Sequence, residues 1–367
     1  MSTPVQAQLM RIEEAYFYEP GKLSEVHAIS GTVSPRKGNT ARSICLVSGN
    51  GNRPLAEAVA LLLGKNTHNT SVTQYASGEV NVRINESVLG ADVYIIQSTT
   101  GNNLIDINTA IMELMILIRK MRLSNAKSIT AIIPFFGYAR RGYKKDLRGP
   151  ISASLIARMI VKMGVDRITT LDLHSGQIQG FFGNVPLDNL IMAHEFARYL
   201  RKQPWFDLDR IALVSPDAGG VDRMSRLADI LHVKHIVTIV RRQITIKGEE
   251  VVQAVGEVDG LHCVIVDDII DTGNTLIKAC NLLKSLGAAR VMACCTHGII
   301  THPCPTLINE CTALSELVVS DSIPQEEKKK SIPKLKVLTI APLLAIVIDK
   351  YTREESLSSM FDSPLRI

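Results

Sequence analysis

From Ser43 onward the chain alternates between short apolar runs and longer stretches whose apolar residues recur every three to four positions. "SICLVSG", "ADVYIIQST", "SITAIIPFF" and "RITTLDLH" have the length and content of strands. "PLAEAVALLLG", "LIDINTAIMELMILIRKMRL" and "GPISASLIARMIVKMG" carry the helical period, two of them closed by glycine. The second half repeats the rhythm: strand "RIALVSP", loop "DAGG", helix "VDRMSRLADIL", strands "KHIVTIV" and "HCVIVDD", helix "LIKACNLLKSLG", and a closing apolar run "ARVMACCTHG". Strands with almost no polar face, each followed by a helix, predict parallel sheets covered on both faces, an α/β architecture. The similar rhythm of the two halves suggests an internal duplication, with the break near Asn184 to Ile191. The apolar stripe from Ile111 to Met121 reads as core or as a subunit interface.

Length and composition sharpen this. A chain of 367 residues, 46% hydrophobic, exceeds one ordinary core and implies two domains. A net charge of +5 suits an anionic small substrate without requiring nucleic acid. The 7 cysteines follow no framework spacing and read as reduced, buried thiols of a cytoplasmic protein. "VLTIAPLLAIVI", after Lys336, is too short to span a bilayer, so no membrane is expected. Residues 1–42 mix acids and bases, show no signal peptide, and end in a connector-like "SPRKGNTARS".

The stretch with the most chemistry is "VIVDDIIDTGNTL", Val264 to Leu276. In open parallel sheets ligands sit beyond the carboxyl ends of strands, and here an apolar strand runs into Asp267 and Asp268. Side chains alternate along a strand, so the two carboxylates should diverge and at least one should face the crevice. An ionised carboxylate is acceptor-only and can take hydrogen bonds from two adjacent hydroxyls, such as a ribose diol. The turn Asp271, Thr272, Gly273, Asn274, Thr275 then opens a helix, whose unpaired amides and dipole favour an anion. The simpler reading, an aspartate capping a helix, explains one carboxylate and leaves the others and the glycine-threonine turn unaccounted for.

That stretch resembles the phosphoribosyl diphosphate motif shared by phosphoribosyltransferases and ribose-phosphate diphosphokinases. "YASGEVNVRINESVLGADVYIIQS", "PFFGYARRGYKKDLRGPISA", "DLHSGQIQGFF", "VSPDAGG", "THGI" and "SDSIPQ" resemble the diphosphokinases, in that family's order, from about Ser43 to about Phe361. The resemblance implies two phosphoribosyltransferase-like domains, each a mainly parallel sheet flanked by helices. Residues 43–187 would form the ATP side and 188–352 the ribose 5-phosphate side. Residues 353–367 would be a tail packed back on the first domain, and 1–42 an extension. It implies transfer of the diphosphoryl group of Mg-ATP to the C1 hydroxyl of ribose 5-phosphate, with Mg2+ as cofactor. Homo-oligomers (dimers assembling into hexamers) or hetero-oligomers with a paralogue are implied, with active sites between the domains and completed by a neighbouring subunit.

Residue by residue, the ribose 5-phosphate positions would be Asp267, Asp268, Asp271, Thr272, Gly273, Asn274 and Thr275. The metal positions would be Asp172, His174, Asp217 and Asp188. Asp172 is the better direct ligand, since magnesium takes few carboxylates, and His174 suits a phosphate and a catalytic role. Arg140, Arg141, Lys144, Lys145 and Asp146 would grip ATP. Tyr75, Ser77 and Glu79 would hold adenine, and Arg241 and Arg242 would act on the transferring group. Taken singly, Tyr75 reads as core, Asp217 as a turn residue before a helix, and the basic run as a solvated loop.

Four places depart from the family pattern. The Lys-x-Arg of the catalytic loop aligns with "IVRRQITIKGEE", so the lysine falls on Val240 without a gap or on Arg241 with one. Between Phe182 and Pro186 stand Gly183, Asn184 and Val185, one residue more than usual. Arg140-Arg141-Gly142 replaces a common Arg-Gln-Asp, and Leu89 replaces an arginine linked to allosteric phosphate. Three readings follow: an active diphosphokinase, a weak or inactive subunit regulating an active paralogue, and a phosphoribosyltransferase.

Overall fold

In the computed structural model the described residues are 43–142, 149–244, 249–358 and 360; for Arg241–Ile244 and Glu249–Val251 only the backbone is described. The extension 1–42, Lys144, Lys145 and Asp146, and the end of the tail lie outside them.

The described chain forms two compact units, the first holding the chain up to Leu190 together with Ser322–Pro324 and the segment from Thr339 onward. Its elements begin with β1 (Ile44–Ser48), α1 (Arg53–Leu62), β2 (Thr70–Gln74), β3 (Val80–Ile84), β4 (Asp92–Ile96) and α2 (Ile107–Leu123). They continue with β5 (Ser128–Ile133), α3 (Ser152–Lys162), β6 (Arg167–Leu171) and β7 (Leu187–Leu190). Strands β1-β4-β5-β6-β7 make a five-stranded sheet, parallel throughout, and β2 and β3 pair as a separate antiparallel hairpin. The sheet strands are buried because helices cover them. Leu114, Leu117, Ile118 and Met121 of α2 are fully enclosed. The Ile111–Met121 stripe is therefore spent on this chain's own core and gives no argument for a subunit interface. Helix α2 starts where Asp106 accepts from the amides of Asn108 and Thr109, which also pulls its carboxyl below the usual range.

The second unit comprises Ile191–Asp321 and Gln325–Leu338 among the described residues. It contains α4 (Ala193–Arg201), β8 (Ile211–Ser215), α5 (Val221–Leu231), β9 (His235–Ile244), β10 (Glu249–Val255) and β11 (His262–Ile270). After these come α6 (Asn274–Ser285), β12 (Arg290–Gly298), α7 (Cys304–Glu310), β13 (Leu314–Ser320), α8 (Glu326–Ser331) and β14 (Leu335–Leu338). The sheet order is β10-β9-β8-β11-β12-β13-β14, parallel except for the antiparallel β9–β10 pair. The sequence pattern stops at "ARVMACCTHG"; the structure adds β13 and β14 beyond it and β10 at the other edge.

One domain boundary differs from expectation. Helix α9 (Ala341–Thr352), placed by the sequence in the second domain, belongs to the first unit and packs on α1. It is apolar almost all round, and Pro342, Leu344, Val347 and Ile348 are buried. Its Tyr351 hydroxyl donates to Asp188 Oδ2 at 2.6 Å, and the Arg167 guanidinium lies 4.6 Å from the Tyr351 ring centre. Ser322 joins the same unit because its carbonyl accepts from Ser98 Oγ at 2.6 Å.

Candidate functional site

The second sheet has a point where strand order reverses. From β8 the chain moves to β9 and β10 on one side; from β11 it moves to β12, β13 and β14 on the other. In open parallel sheets a crevice forms at such a switch point, at the carboxyl ends of the strands. Strand β8 pairs with β11 only as far as Val214 beside Ile265, whereas β12 accompanies β11 to Gly298 beside Ile270. Asp267 and Asp268 thus stand on the stretch of β11 that β8 leaves open.

The two aspartates do differ, as strand alternation requires: side-chain exposure is 31% for Asp267 and 5% for Asp268. Arg223, on the first turn of α5, reaches both, its Nη1 lying 3.9 Å from Asp267 Oδ1 and 3.4 Å from Asp268 Oδ1. Burial raises the Asp267 carboxyl well above the usual carboxylate range; the neighbouring Asp268 adds to this and Arg223 opposes it. The sequence reading missed Arg223. Its only local signal is a basic residue three positions past the "DAGG" turn.

The following turn is built for close approach. Gly273 has φ of +81° and caps α6, so the helix's first amides meet no capping side chain. An added Cβ at Gly273 would stand 2.8 Å from Cys304 Sγ on α7. Asp271 anchors the turn: its Oδ1 accepts from Thr301 Oγ1 at 2.5 Å and its carbonyl from the Thr301 amide at 3.1 Å. Lys328 lies close enough to Asp271 to feel its charge, and burial lowers the Lys328 amine to about 8. Asn274 Nδ2 and Thr272 Oγ1 are 3.4 Å apart, and Thr275 follows on α6. Beside this turn, Asp217 Oδ1 accepts from the Gly219 and Gly220 amides at 2.9 and 3.0 Å, the turn-capping role its sequence context suggests. Its carboxylate is exposed after the end of β8.

In the first unit, Asp172 and His174 follow β6, and Arg140 and Arg141 lie in the turn that follows the neighbouring β5. Asp172 is 8% exposed and has φ of +37°, a left-handed conformation costing a non-glycine residue roughly 1–2 kcal/mol. Such strain gathers at functional sites. Arg140 and Arg141 are exposed. Tyr75, Ser77 and Glu79 form the tip of the β2–β3 hairpin, where Ser77 Oγ donates to Glu79 Oε2 at 3.0 Å. Tyr75 is 59% exposed, so the core reading of this residue is wrong.

Asp188 is the sequence assignment that the geometry opposes. Gly183, in the stretch with the extra residue before Pro186, has φ of +62°, and β7 pairs with β6 so that Asp188 stands opposite Thr169. From there Asp188 Oδ2 accepts from Arg167 Nη1 at 3.0 Å and from the Tyr351 hydroxyl at 2.6 Å. A carboxylate oxygen held by a guanidinium and a phenol fastens α9 to the sheet and is a poor metal ligand. Among the described residues no group of three or more His, Cys, Asp or Glu is arranged to hold a metal by itself. Magnesium fits what remains, because it is held by one or two carboxylates with substrate phosphates supplying other oxygens. Asp172 and Asp217 are single acids at strand ends, suited to that sharing. The side chains of Arg241 and Arg242 and the loop residues Lys144, Lys145 and Asp146 lie outside the described residues.

Comparison with known proteins identifies the family. Residues 44–164 match the N-terminal domain of ribose phosphate pyrophosphokinase, and residues 228–362 match the phosphoribosyl synthetase-associated domain. A ribose-phosphate pyrophosphokinase of Bradyrhizobium diazoefficiens is 42% identical over 87% of this chain and 98% of its own length. One from Agrobacterium fabrum is 42% identical over 86% of this chain and 99% of its own. The crystal structure of phosphoribosylpyrophosphate synthetase from Mycobacterium smegmatis superposes with a TM-score of 0.78 at 36% identity, covering 85% of this chain and all of the other. The chain belongs to the ribose-phosphate pyrophosphokinase family.

Proposed function

We propose that this protein transfers the diphosphoryl group of ATP to the C1 hydroxyl of ribose 5-phosphate, giving 5-phosphoribosyl 1-diphosphate and AMP for nucleotide biosynthesis. The observation that carries the proposal is the paired carboxylates of Asp267 and Asp268 beside the glycine-capped helix at the switch point of the second sheet. A pentose phosphate needs both features, acceptors for a diol and amides for a phosphate. Asp267 and Asp268 accept from the ribose hydroxyls, and the amides from Gly273 to Thr275 hold the 5-phosphate. Asp271 ties the cradle to Thr301, and Arg223 keeps the two carboxylates oriented.

The ATP half is in the first unit. Tyr75 stacks on the adenine and Ser77 and Glu79 read its edge. Arg140, Arg141, Lys144 and Lys145 grip the phosphates, Asp146 belongs to the same ATP-binding loop, and His174 donates to a phosphate oxygen. Asp172 would offer a carboxylate to Mg2+ beside the ATP phosphates and Asp217 one beside the ribose, and the ion when bound neutralises charge on the phosphates. The C1 oxygen attacks the β-phosphorus, and the bond from that phosphorus to the oxygen of the AMP leaving group breaks. Positioning and charge neutralisation dominate such transfers. Arg242, with Arg241 as the gapped alternative, stabilises the transferring group. The exposed Tyr75 hairpin supports a homo-oligomer in which it reaches a neighbour's site. The free, buried cysteines support a reducing, cytoplasmic setting. No helix among the described residues is long and apolar enough to cross a membrane.

The test is direct. Purified protein given ribose 5-phosphate, ATP and magnesium should form AMP and phosphoribosyl diphosphate in equal amounts. Silence alone, with stimulation of an active relative, would replace the proposal by the regulatory reading.

A second prediction follows from Asp267. Its carboxyl is raised in the fold, so its stability contribution is full below the ordinary carboxylate pKa and is lost as pH rises through the folded value. Asp267→Asn should therefore raise the melting temperature at pH 8 by about 2 °C, solvent access keeping the gain small, and leave it unchanged at pH 4. The same variant should raise the KM for ribose 5-phosphate roughly tenfold or more, since an amide NH2 replaces one of the two carboxyl oxygens that face the diol. Thermal melts at both pH values and steady-state kinetics check the pair.

A further inference from the structure

Two stretches that the sequence singles out, "THGI" from Thr296 to Ile299 and "SDSIPQ" from Ser320 to Gln325, have no part in the site so far. In the second unit they meet at one backbone oxygen. The Gly298 carbonyl, at the end of β12, accepts from Gln325 Nε2 at 2.7 Å and from Lys328 Nζ, on α8, at 2.9 Å. A carbonyl oxygen has two lone pairs, and both are engaged here. Gln325 is 2% exposed, and burial lowers the Lys328 amine only to about 8, so it remains an ammonium at neutral pH. A hydrogen bond from a charged donor is roughly twice as strong as one from a neutral amide, which makes Lys328 the firmer of the two holds. Just past Gly298 the chain turns sharply. Ile300 has φ of +47°, a left-handed conformation that β-branched residues avoid. Such a residue stays there only where its surroundings hold it. On one side stand the two donors to Gly298. On the other, the Ile300 amide donates to the Ile270 carbonyl at 3.0 Å, and the Thr301 amide and hydroxyl both donate to Asp271. The Cys304 amide donates to the Thr301 carbonyl at 2.8 Å, and the Cys304 sulfur lies against Gly273.

We propose that Lys328 is a positioning residue for ribose 5-phosphate: by holding the Gly298 carbonyl it fixes the strained turn whose far end sets Asp271 and the Gly273 cradle. The inference rests on the ribose 5-phosphate reading of that cradle. Without the ammonium, the Gly298 carbonyl keeps only the Gln325 amide, and the left-handed Ile300 loses its firmer support. The hydrogen bonds from Thr301 to Asp271 then lengthen or break. Asp271 stands between the strand that carries Asp267 and Asp268 and the helix start that carries the phosphate amides, so its displacement changes the spacing of the two. The loss falls on ribose 5-phosphate and spares ATP, because Tyr75, Arg140 and Arg141 belong to the other unit. A lysine that merely ties α8 to the sheet would move stability and leave this affinity alone.

The experiment is a double-mutant cycle on the full chain. Lys328→Met keeps most of the stem and removes the donors; Thr301→Val keeps the shape and removes the hydroxyl. Affinity for ribose 5-phosphate is measured by calorimetry with magnesium and α,β-methylene ATP, whose bridging carbon blocks the transfer. Each single variant should bind ribose 5-phosphate about tenfold more weakly, with affinity for the ATP analogue changed by less than about twofold. The double variant should stay near the larger single loss, because both changes cut one path, whereas independent residues would give about a hundredfold. Losses that multiply overturn the proposal. So does a Lys328→Met variant that binds ribose 5-phosphate like the parent, or one that loses both ligands equally. Lys328→Gln, shorter and neutral, gives the same cycle if the methionine variant does not fold. A parent that binds no ribose 5-phosphate overturns the reading of the cradle and the inference with it; a parent that binds it beside an unmoved variant overturns the inference alone.

Discussion

Gly273→Ala should lower kcat/KM for ribose 5-phosphate about a hundredfold, chiefly through KM for that substrate, with KM for ATP little changed. Two independent costs meet at this position. A side chain at φ of +81° is disfavoured by roughly 1–2 kcal/mol, and the new Cβ would stand 2.8 Å from Cys304 Sγ. Overpacking of that kind typically costs a further 1–3 kcal/mol unless the backbone moves. Relieving the strain by a shift of the turn displaces the amides proposed to hold the phosphate. At about 1.4 kcal/mol per tenfold, a loss of two decades is the natural scale. The partner substitution separates the two costs. Cys304→Gly in the Gly273→Ala background removes the steric contact and leaves the φ cost, so it should recover roughly tenfold and no more. Complete recovery would mean that the left-handed backbone is unimportant. No recovery, with a normal melting temperature, would mean that the turn does not deform toward Cys304. Kinetics and melts on the single and double variants read this out.

Much of this site could be read from the chain because its chemistry is contiguous. Asp267, Asp268 and the turn from Asp271 to Thr275 occupy one strand and one helix start, where strand alternation and unpaired amides act over a few residues. The alternation of β1, β4, β5, β6, β8 and β11 with helices was equally legible, since doubly covered strands must be apolar on both faces. What the pattern missed depends on long-range contact. Arg223 joins the site from α5, and nothing local distinguishes it from a solvated helix arginine. Asp188 carries a metal-like motif, yet Tyr351, 163 positions later, claims its carboxylate. Helix α9 is so evenly apolar that its period names no partner, and only contact with α1 assigns it to the first unit. The edge strand β10 and the outer pair β13 and β14 carry enough polar residues, such as Glu249, Ser315 and Lys336, to blur the apolar runs.

The remaining departure, the missing lysine, becomes a question of strand register. The sequence left Val240 and Arg241 as equal candidates for its position. Both lie in β9, whose register against β10 pairs Val240 with Gln253, Arg241 with Val252 and Arg242 with Val251. The two-residue period of a strand puts positions 240 and 242 on one face and 241 on the other. A Lys-x-Arg pair acting on one group needs both charges on the same face, so position 240 is the lysine position if residue 242 supplies the arginine. Val240→Lys should raise kcat by about tenfold to a hundredfold, the scale on which one preorganised charge acts, with KM for ATP and ribose 5-phosphate little altered. Val240 is 45% exposed, so the ammonium enters without a burial cost, and the loss of β-branching costs at most about 1 kcal/mol of strand preference. Arg241→Lys should change neither constant appreciably, and Val240→Met, similar in length but neutral, should match the parent. If Val240→Lys is inert while Arg241→Lys accelerates turnover, the gapped alignment holds and the one-face argument fails. If none of the three moves kcat, a charge from elsewhere in the chain already fills that role.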